Sequence, residues 1–429
     1  MKRALFFFIF LPVYTFAFAQ TFSLSDCINY AHTHRIELQK QQTADTYYNK
    51  NHRYSIYGAL PSVSGTVNYP FTSDRHQSMR PGVVELSSEL VLFNGFQTIN
   101  DIRQSKLLTA RNRSQTDKIR NDIQLEITEI YYSLLLAREN IKIFENSIQS
   151  AEQQISLISQ SVQAGRTSNI DLLEMQAQLE KERSNRIAAV RQYERDFIRL
   201  KRAMNYQSPS NLPEGEAFLL ATPFTEASPL GRFGGAEDLF LSAISTLPEF
   251  RLARQDSLFA VYDLRKVKGQ YAPYLSLSGS LSSQYQRAGE SGSFINQLEN
   301  NFLRIAGVSL TIPIYSRHQI RRQQIGKERQ LSDILLDNKQ LYQDVYFEIE
   351  RLYQEIVQNQ ENLQAAERRR DYSKQIYEMR REQYRYGTLS ITDLLIAENN
   401  MRNAEIEWLY AKYSLQYNMA LVEFYSGKM

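Results

Sequence analysis

The stretch "AGRTSNIDLLEMQA", Ala164 to Ala177, returns far downstream as the "YGTLSITDLLIAEN" of Tyr386 to Asn399. Gly, Ser, Asp, Leu and Leu hold the same places in both, and Gly165 and Gly387 lie 222 residues apart. The same offset pairs Phe93 in "LVLFNGFQ" with Tyr315 in "LTIPIYSRHQ". Upstream it falls to 212, pairing Pro61 with Pro273 and Glu37 with Glu249. The second half thus holds about ten extra residues between Pro273 and Tyr315. An internal duplication restricts the fold to two copies of one supersecondary unit.

Most of each copy reads as helix. Phe96 to Ala164, Arg166 to Gln207, Lys327 to Tyr386 and Thr388 to Ser426 contain neither Gly nor Pro. At 1.5 Å per residue, a run of about 60 residues makes a helix on the order of 90 Å long. Ile119, Ile123, Ile127, Ile130, Leu134, Ala137, Ile141, Phe144, Ile148, Ala151, Ile155 and Ile158 settle into steps of three and four. That spacing predicts a left-handed coiled-coil seam. Adding the offset gives Leu341, Val345, Ile349, Leu352, Ile356, Asn359, Leu363 and Ala366, the same seam with one polar break.

Four short runs change to a period of two. Val63, Gly65, Val67, Tyr69 and Phe71 alternate with Ser62, Ser64, Thr66 and Asn68, and Val84, Leu86, Leu90 and Leu92 with Glu85, Ser87, Glu89 and Val91. In the second half Leu275, Leu277, Gly279 and Leu281 alternate with serines, and Ala306, Val308, Leu310, Ile312 and Ile314 with Gly307, Ser309, Thr311 and Pro313. Runs of about ten residues with one apolar face suit membrane-crossing strands. A soluble core would also satisfy the alternation. Tyr57, Tyr69, Tyr274, Tyr285 and Tyr315 near the strand ends fit an interfacial girdle, or ordinary packing. Four strands cannot close in lipid, where an open edge is not viable. Closure takes at least about eight strands, so a dimer or a trimer is required.

Composition narrows the function. Lys2 and Arg3, the apolar run Ala4 to Phe18 and the small residues of Ala17 to Ala19 read as a signal peptide over residues 1–19, with no lipobox after it. Removing it takes the formal charge from +3 to +1, which gives no reason to expect a nucleic-acid partner. The single Cys27 reads as a small buried hydrophobe. No later run reaches the roughly 18 apolar residues of a spanning helix. His32, His34, His52, His76 and His318 show no metal-pair spacing, and no nucleotide or nucleophile motif is present, so neither an enzyme nor a cofactor is expected. The chain divides into a first repeat over 20–207, a Pro/Gly-rich linker over 208–237 and a second repeat over 238–429. The strand pairs fall at 61–93 and 273–315.

The motifs "LSDCINYAHTHRIELQ", "LFNGFQTINDIRQSK", "AGRTSNIDLLEMQAQLEKERSN" and "YRYGTLSITDLLIAENNMRNAE" together resemble the TolC family of outer-membrane efflux proteins. The resemblance covers both halves of the mature chain. It implies a mostly α, mixed α and β fold: a twelve-stranded trimeric barrel in the outer membrane of a Gram-negative bacterium, continued by a periplasmic α-barrel of long coiled-coil helices. It implies a homotrimer acting as a passive exit duct for an efflux or secretion system, with a periplasmic adaptor and an inner-membrane pump as partners. The other reading is a periplasmic structural coiled-coil protein without a channel.

The resemblance also places residues. The glycine turns become the periplasmic tips, so Gly165, Arg166, Gly387 and Thr388 would meet the adaptor. Asp171 and Asp393 would stand beside a narrow entrance, and Tyr384 matches a gate tyrosine. The gate arginine is replaced by Leu389 and a second acidic position by Ile396, so the family's salt-bridged lock does not carry over. Asp171 and Asp393 have an alternative role. Ser168-x-x-Asp171 and Ser390-x-x-Asp393 both read as capping boxes.

Overall fold

The structure is a computed structural model and describes residues 21–69, 82–206, 219–220, 235–285, 296 and 299–427. The signal peptide, most of the linker and the insertion around Gly292, expected to be an extracellular loop, lie outside the described residues. The helices of the two halves match in their bounds to within one residue. α1 (Leu24–His34) and α2 (Ile36–Tyr57) answer to α5 (Ala236–Thr246) and α6 (Pro248–Gly269) at the offset of 212. α3 (Gln97–Gln163) and α4 (Asn169–Met204) answer to α7 (Gln319–Arg385) and α8 (Ile391–Tyr425) at 222. α3 and α7 are each 67 residues long. A short parallel pair, β1 (Thr21–Phe22) with β4 (Leu219–Leu220), has no counterpart in the sequence reading.

The described chain divides into two units. The first comprises Glu37–Ile119 and Phe240–Ile349 and contains an antiparallel sheet in the order β2 (Ser62–Asn68), β3 (Gly82–Asn94), β5 (Tyr274–Tyr285), β6 (Leu303–Thr311). Register decides what the sheet can face, because a slip of one residue would turn a strand over. Val63, Leu86 and Val67 stand on one face with Leu90, Leu277, Leu281, Val308 and Leu310; Ser62, Ser64, Ser87, Ser276, Ser278, Ser280 and Ser309 stand on the other. The alternations agree except at the start of β6, where Arg304 falls on the apolar face and Leu303 and Ile305 on the serine face. Val63, Val67, Val308 and Leu310 are well exposed, and no described helix packs over them as a core would.

Two details correct the sequence reading. β6 ends at Thr311, not Ile314, since Pro313 has no N–H to extend the ladder. In β3 a bulge between Val91 and Phe93 steps over Leu92, so Phe93 faces Leu275. At the base of the sheet Gly95, with φ of 64°, lies against the backbone of Gly269. A Cβ on Gly95 would stand 2.0 Å from the Gly269 carbonyl oxygen.

The second unit comprises the chain up to Ile36, Arg120–Leu239 and Glu350–Met429, and within it the seams close as the spacing predicts. Ile123, Ile127, Ile130, Leu134, Ala137, Ala151 and Ile158 are buried on α3, as are Leu352 and Ile356 on α7. Each such Ile or Leu contributes on the order of 1.5–3 kcal/mol of apolar burial. Cys27 is fully buried, and burial pushes its thiol up to about 12, so it is an inert core residue. No described helix is long and apolar enough to cross a membrane.

Candidate functional site

Both hairpin turns are built alike, and the glycines explain why. At the end of α3 the Gly165 N–H donates to Val162 O (3.0 Å) and the Arg166 N–H to Ser161 O (2.9 Å). At the end of α7 the Gly387 N–H donates to Tyr384 O (2.9 Å) and the Thr388 N–H to Gln383 O (3.0 Å). These paired bonds form Schellman motifs, which need a left-handed residue at the turn. Gly165 and Gly387 supply it, with φ of 66° and 72°. The Thr388 hydroxyl adds a bond to Gln383 O at 3.0 Å.

The helices that follow start on serines, but the two aspartates differ. On α8 the Asp393 N–H donates to Ser390 Oγ (3.1 Å), while the Ser390 hydroxyl donates to Asp393 Oδ2 (2.6 Å). On α4 Ser168 Oγ accepts from the Ile170 N–H (3.2 Å), which leaves the Asp171 carboxylate out of the cap. Neither is the reciprocal box that the spacing predicts. Asp171 instead accepts from the Tyr384 hydroxyl on α7 across 3.5 Å, a long and therefore weak bond. Burial, reinforced by the Asp171 charge, pushes Tyr384 up to about 12, so it remains a neutral donor at ordinary pH.

The two hairpins pack on each other through one apolar cluster. Ala151, Ile158, Met175, Leu179, Tyr377, Ile391, Leu394 and Ala397 are its buried members, with Tyr384 and Leu389 against its margin. Leu389 thus holds the turn by packing where the family pattern would place an arginine. Ile396 stays exposed. Asp171, Tyr384 and both turns are brought to one end of this bundle.

Within the same bundle lies a charged group that the sequence reading missed. The Arg402 guanidinium pairs with Glu182 across 2.7 Å; Arg402 is 4% exposed and Glu182 1%. Gln178 donates to Glu182, and Arg402 donates to Asn399. Glu398, 4% exposed, stands one turn before Arg402. Burial raises its carboxyl from the ordinary 4.5 to about 7; Arg402 opposes the shift and Glu182 adds to it. Extending the seam count along α4 and α8 would have exposed these residues, because Leu179 and Glu182, and Leu394 and Glu398, continue it.

A sheet with a lipid-compatible face, joined in sequence to duplicated helical hairpins, defines an outer-membrane channel subunit. The chain belongs to the outer membrane efflux protein family, whose model matches residues 31–206 and 243–427. Outer membrane efflux protein BepC of Brucella suis biovar 1 is 22% identical over 366 residues, covering 83% of this chain and 74% of that protein. Alkaline protease secretion protein AprF of Pseudomonas aeruginosa is 22% identical over 367 residues, covering 84% and 72%. Among solved structures the outer-membrane channel OprN superposes with a TM-score of 0.79 at 18% identity, covering 95% of this chain and 90% of that one. The open-state MtrE channel of Neisseria gonorrhoeae gives 0.77 at 16%, covering 94% and 89%. The protein is an outer-membrane exit duct of an efflux or secretion system, and the reading as a soluble coiled coil falls away.

Proposed function

We propose that three copies of the chain close one twelve-stranded barrel and that the hairpin turns form its periplasmic entrance. The observation that carries this reading is the four-stranded sheet, with its apolar alternations on one face and β2 and β6 as its two edges. Such edges are not viable in lipid unless β6 of one copy pairs with β2 of the next. In detergent the protein should have three times the mass of the chain without residues 1–19 and migrate as a heat-sensitive oligomer. A stable monomer by light scattering would remove the barrel.

At the entrance Asp171 and Asp393 would each recur three times and favour cations. Gly165, Arg166, Gly387 and Thr388 would present two similar hairpins per subunit to a periplasmic adaptor coupled to an inner-membrane pump. The duct itself is passive, and the pump selects the substrate. Residues 1–19 would direct export and be removed, and residues 208–237 would join the repeats.

Replacing both Asp171 and Asp393 by Asn tests the entrance. Asn still accepts from a serine or tyrosine hydroxyl, so the helix starts should lose only about 0.3–1 kcal/mol each from the dipole. Cation preference in planar bilayers should fall while the oligomer stays assembled. Unchanged ion selectivity with a lowered melting temperature would reduce both aspartates to a structural role.

A further inference from the structure

The tip bundle contains two buried carboxyl groups and one buried guanidinium, which the turn geometry does not require. Glu182 comes from α4, and Arg402 and Glu398 from α8; α4 and α8 approach each other closely here. Glu182 Oε2 and Glu398 Oε2 are buried without a hydrogen-bond partner. Glu182 and Arg402 cancel as an ion pair, so the state of Glu398 decides whether the group is neutral or carries one uncompensated negative charge.

Among the remaining surroundings only Gln154, and Arg402 already paired with Glu182, relieve that charge, and burial outweighs both. From α7, Tyr377 faces Glu398 and is itself pushed up by burial, with the Glu398 charge adding to it; the Arg381 guanidinium lies 6.0 Å from the Tyr377 ring centroid. From α3, Gln154 reaches Glu398 and donates to the Tyr377 hydroxyl at 3.2 Å. From α4 the charged neighbour is Glu182, which repels; from α8 it is Arg402, already paired. An isolated buried charge either takes up a proton or draws in water. With α4 and α8 packed together Glu182 and Glu398 are 1% and 4% exposed, so water is largely excluded from them.

We propose that Glu182, Arg402 and Glu398 form a proton-operated latch that holds α4 against α8 and releases it when Glu398 is ionised. The direction follows from linkage. A carboxyl whose affinity for protons is higher in the closed form favours that form most below its ordinary value of 4.5, and the bias is lost as the pH rises through about 7. The latch lies three helical turns beyond Asp171 on α4, so its release would loosen the end of the bundle that carries both turns. Its link to conduction rests on the reading of those turns as the entrance.

The test uses full-length protein with spin labels at exposed Leu173 on α4 and Ile396 on α8, diluted into unlabelled subunits so that one labelled pair is read per assembly. Between pH 5 and 8.5 the ratio of parted to closed pairs should rise by up to about tenfold per pH unit around the midpoint, the limit for one proton. Glu398→Gln, which keeps the neutral form, should stay closed throughout; Glu398→Met serves as a second neutral variant if the glutamine does not fold. A pH-independent distance distribution in the wild type, or a neutral variant that parts as the wild type does, overturns the latch. Bilayer conductance measured in parallel separates the two readings. If helix separation depends on pH and conductance does not, the latch stands and the entrance reading fails.

Discussion

Arg402→Leu is expected to destabilise the helical unit by about 3–5 kcal/mol, because it strands Glu182 in an apolar interior without its counter-charge. The loss should shrink in acid as Glu398 takes up its proton. The sign distinguishes this substitution from a simple cavity, whose cost would not follow pH. The double variant Glu182→Leu with Arg402→Leu removes both charges and should recover most of the stability. Thermal melting of the assembled protein across pH reads both effects. A single variant as stable as its double would show that the pair is solvated in the membrane-bound molecule.

Among the described glycines, replacement by alanine should be most damaging at Gly95. The new Cβ would lie 2.0 Å from the Gly269 carbonyl oxygen and 2.7 Å from its carbon, both backbone atoms that cannot rotate away. The positive φ adds about 1–2 kcal/mol for a residue with a side chain. Gly269→Ala meets the Gly95 oxygen at 2.3 Å from the other side, without the φ penalty. Both should lower the yield of heat-modifiable oligomer in the outer-membrane fraction, Gly95→Ala more severely. By contrast, a Cβ at Gly165 or Gly387 meets nothing within 4 Å, so alanine there should cost only the backbone term. Wild-type yields for Gly95→Ala would mean that β3 and α6 end farther apart than described.

The duplication made most of this fold legible in the sequence. With Gly165 and Gly387 aligned, each helix of one half has its counterpart in the other at one of the two offsets. The strands were readable because alternation against serine has no helical explanation. What escaped has physical reasons too. A two-residue strand such as Thr21–Phe22 is too short to show a period. The bulge that steps over Leu92 is set by pairing with β5, and pairing is not written in one strand. Ser168-x-x-Asp171 and Ser390-x-x-Asp393 share a pattern yet differ in space, because the Tyr384 hydroxyl faces only Asp171. Glu182, Glu398 and Arg402 look like members of a solvated helix face when counted singly. Counted on the seams of α4 and α8 they fall inside, as the packing of α4 on α8 shows.

The serine-rich face of the sheet has a consequence for throughput. Ser62, Ser64, Ser278, Ser280 and Ser309 present hydroxyl groups whose bonds water can replace at almost no loss. On the proposed barrel a polar solute sliding along this face would meet shallow wells and little friction, and only Leu303 and Ile305 would offer it an apolar hold. Glu85 and Glu89 are the fixed charges on the β3 side of that face. A conduit finished in this way trades discrimination for speed, and leaves sorting to whatever loads it.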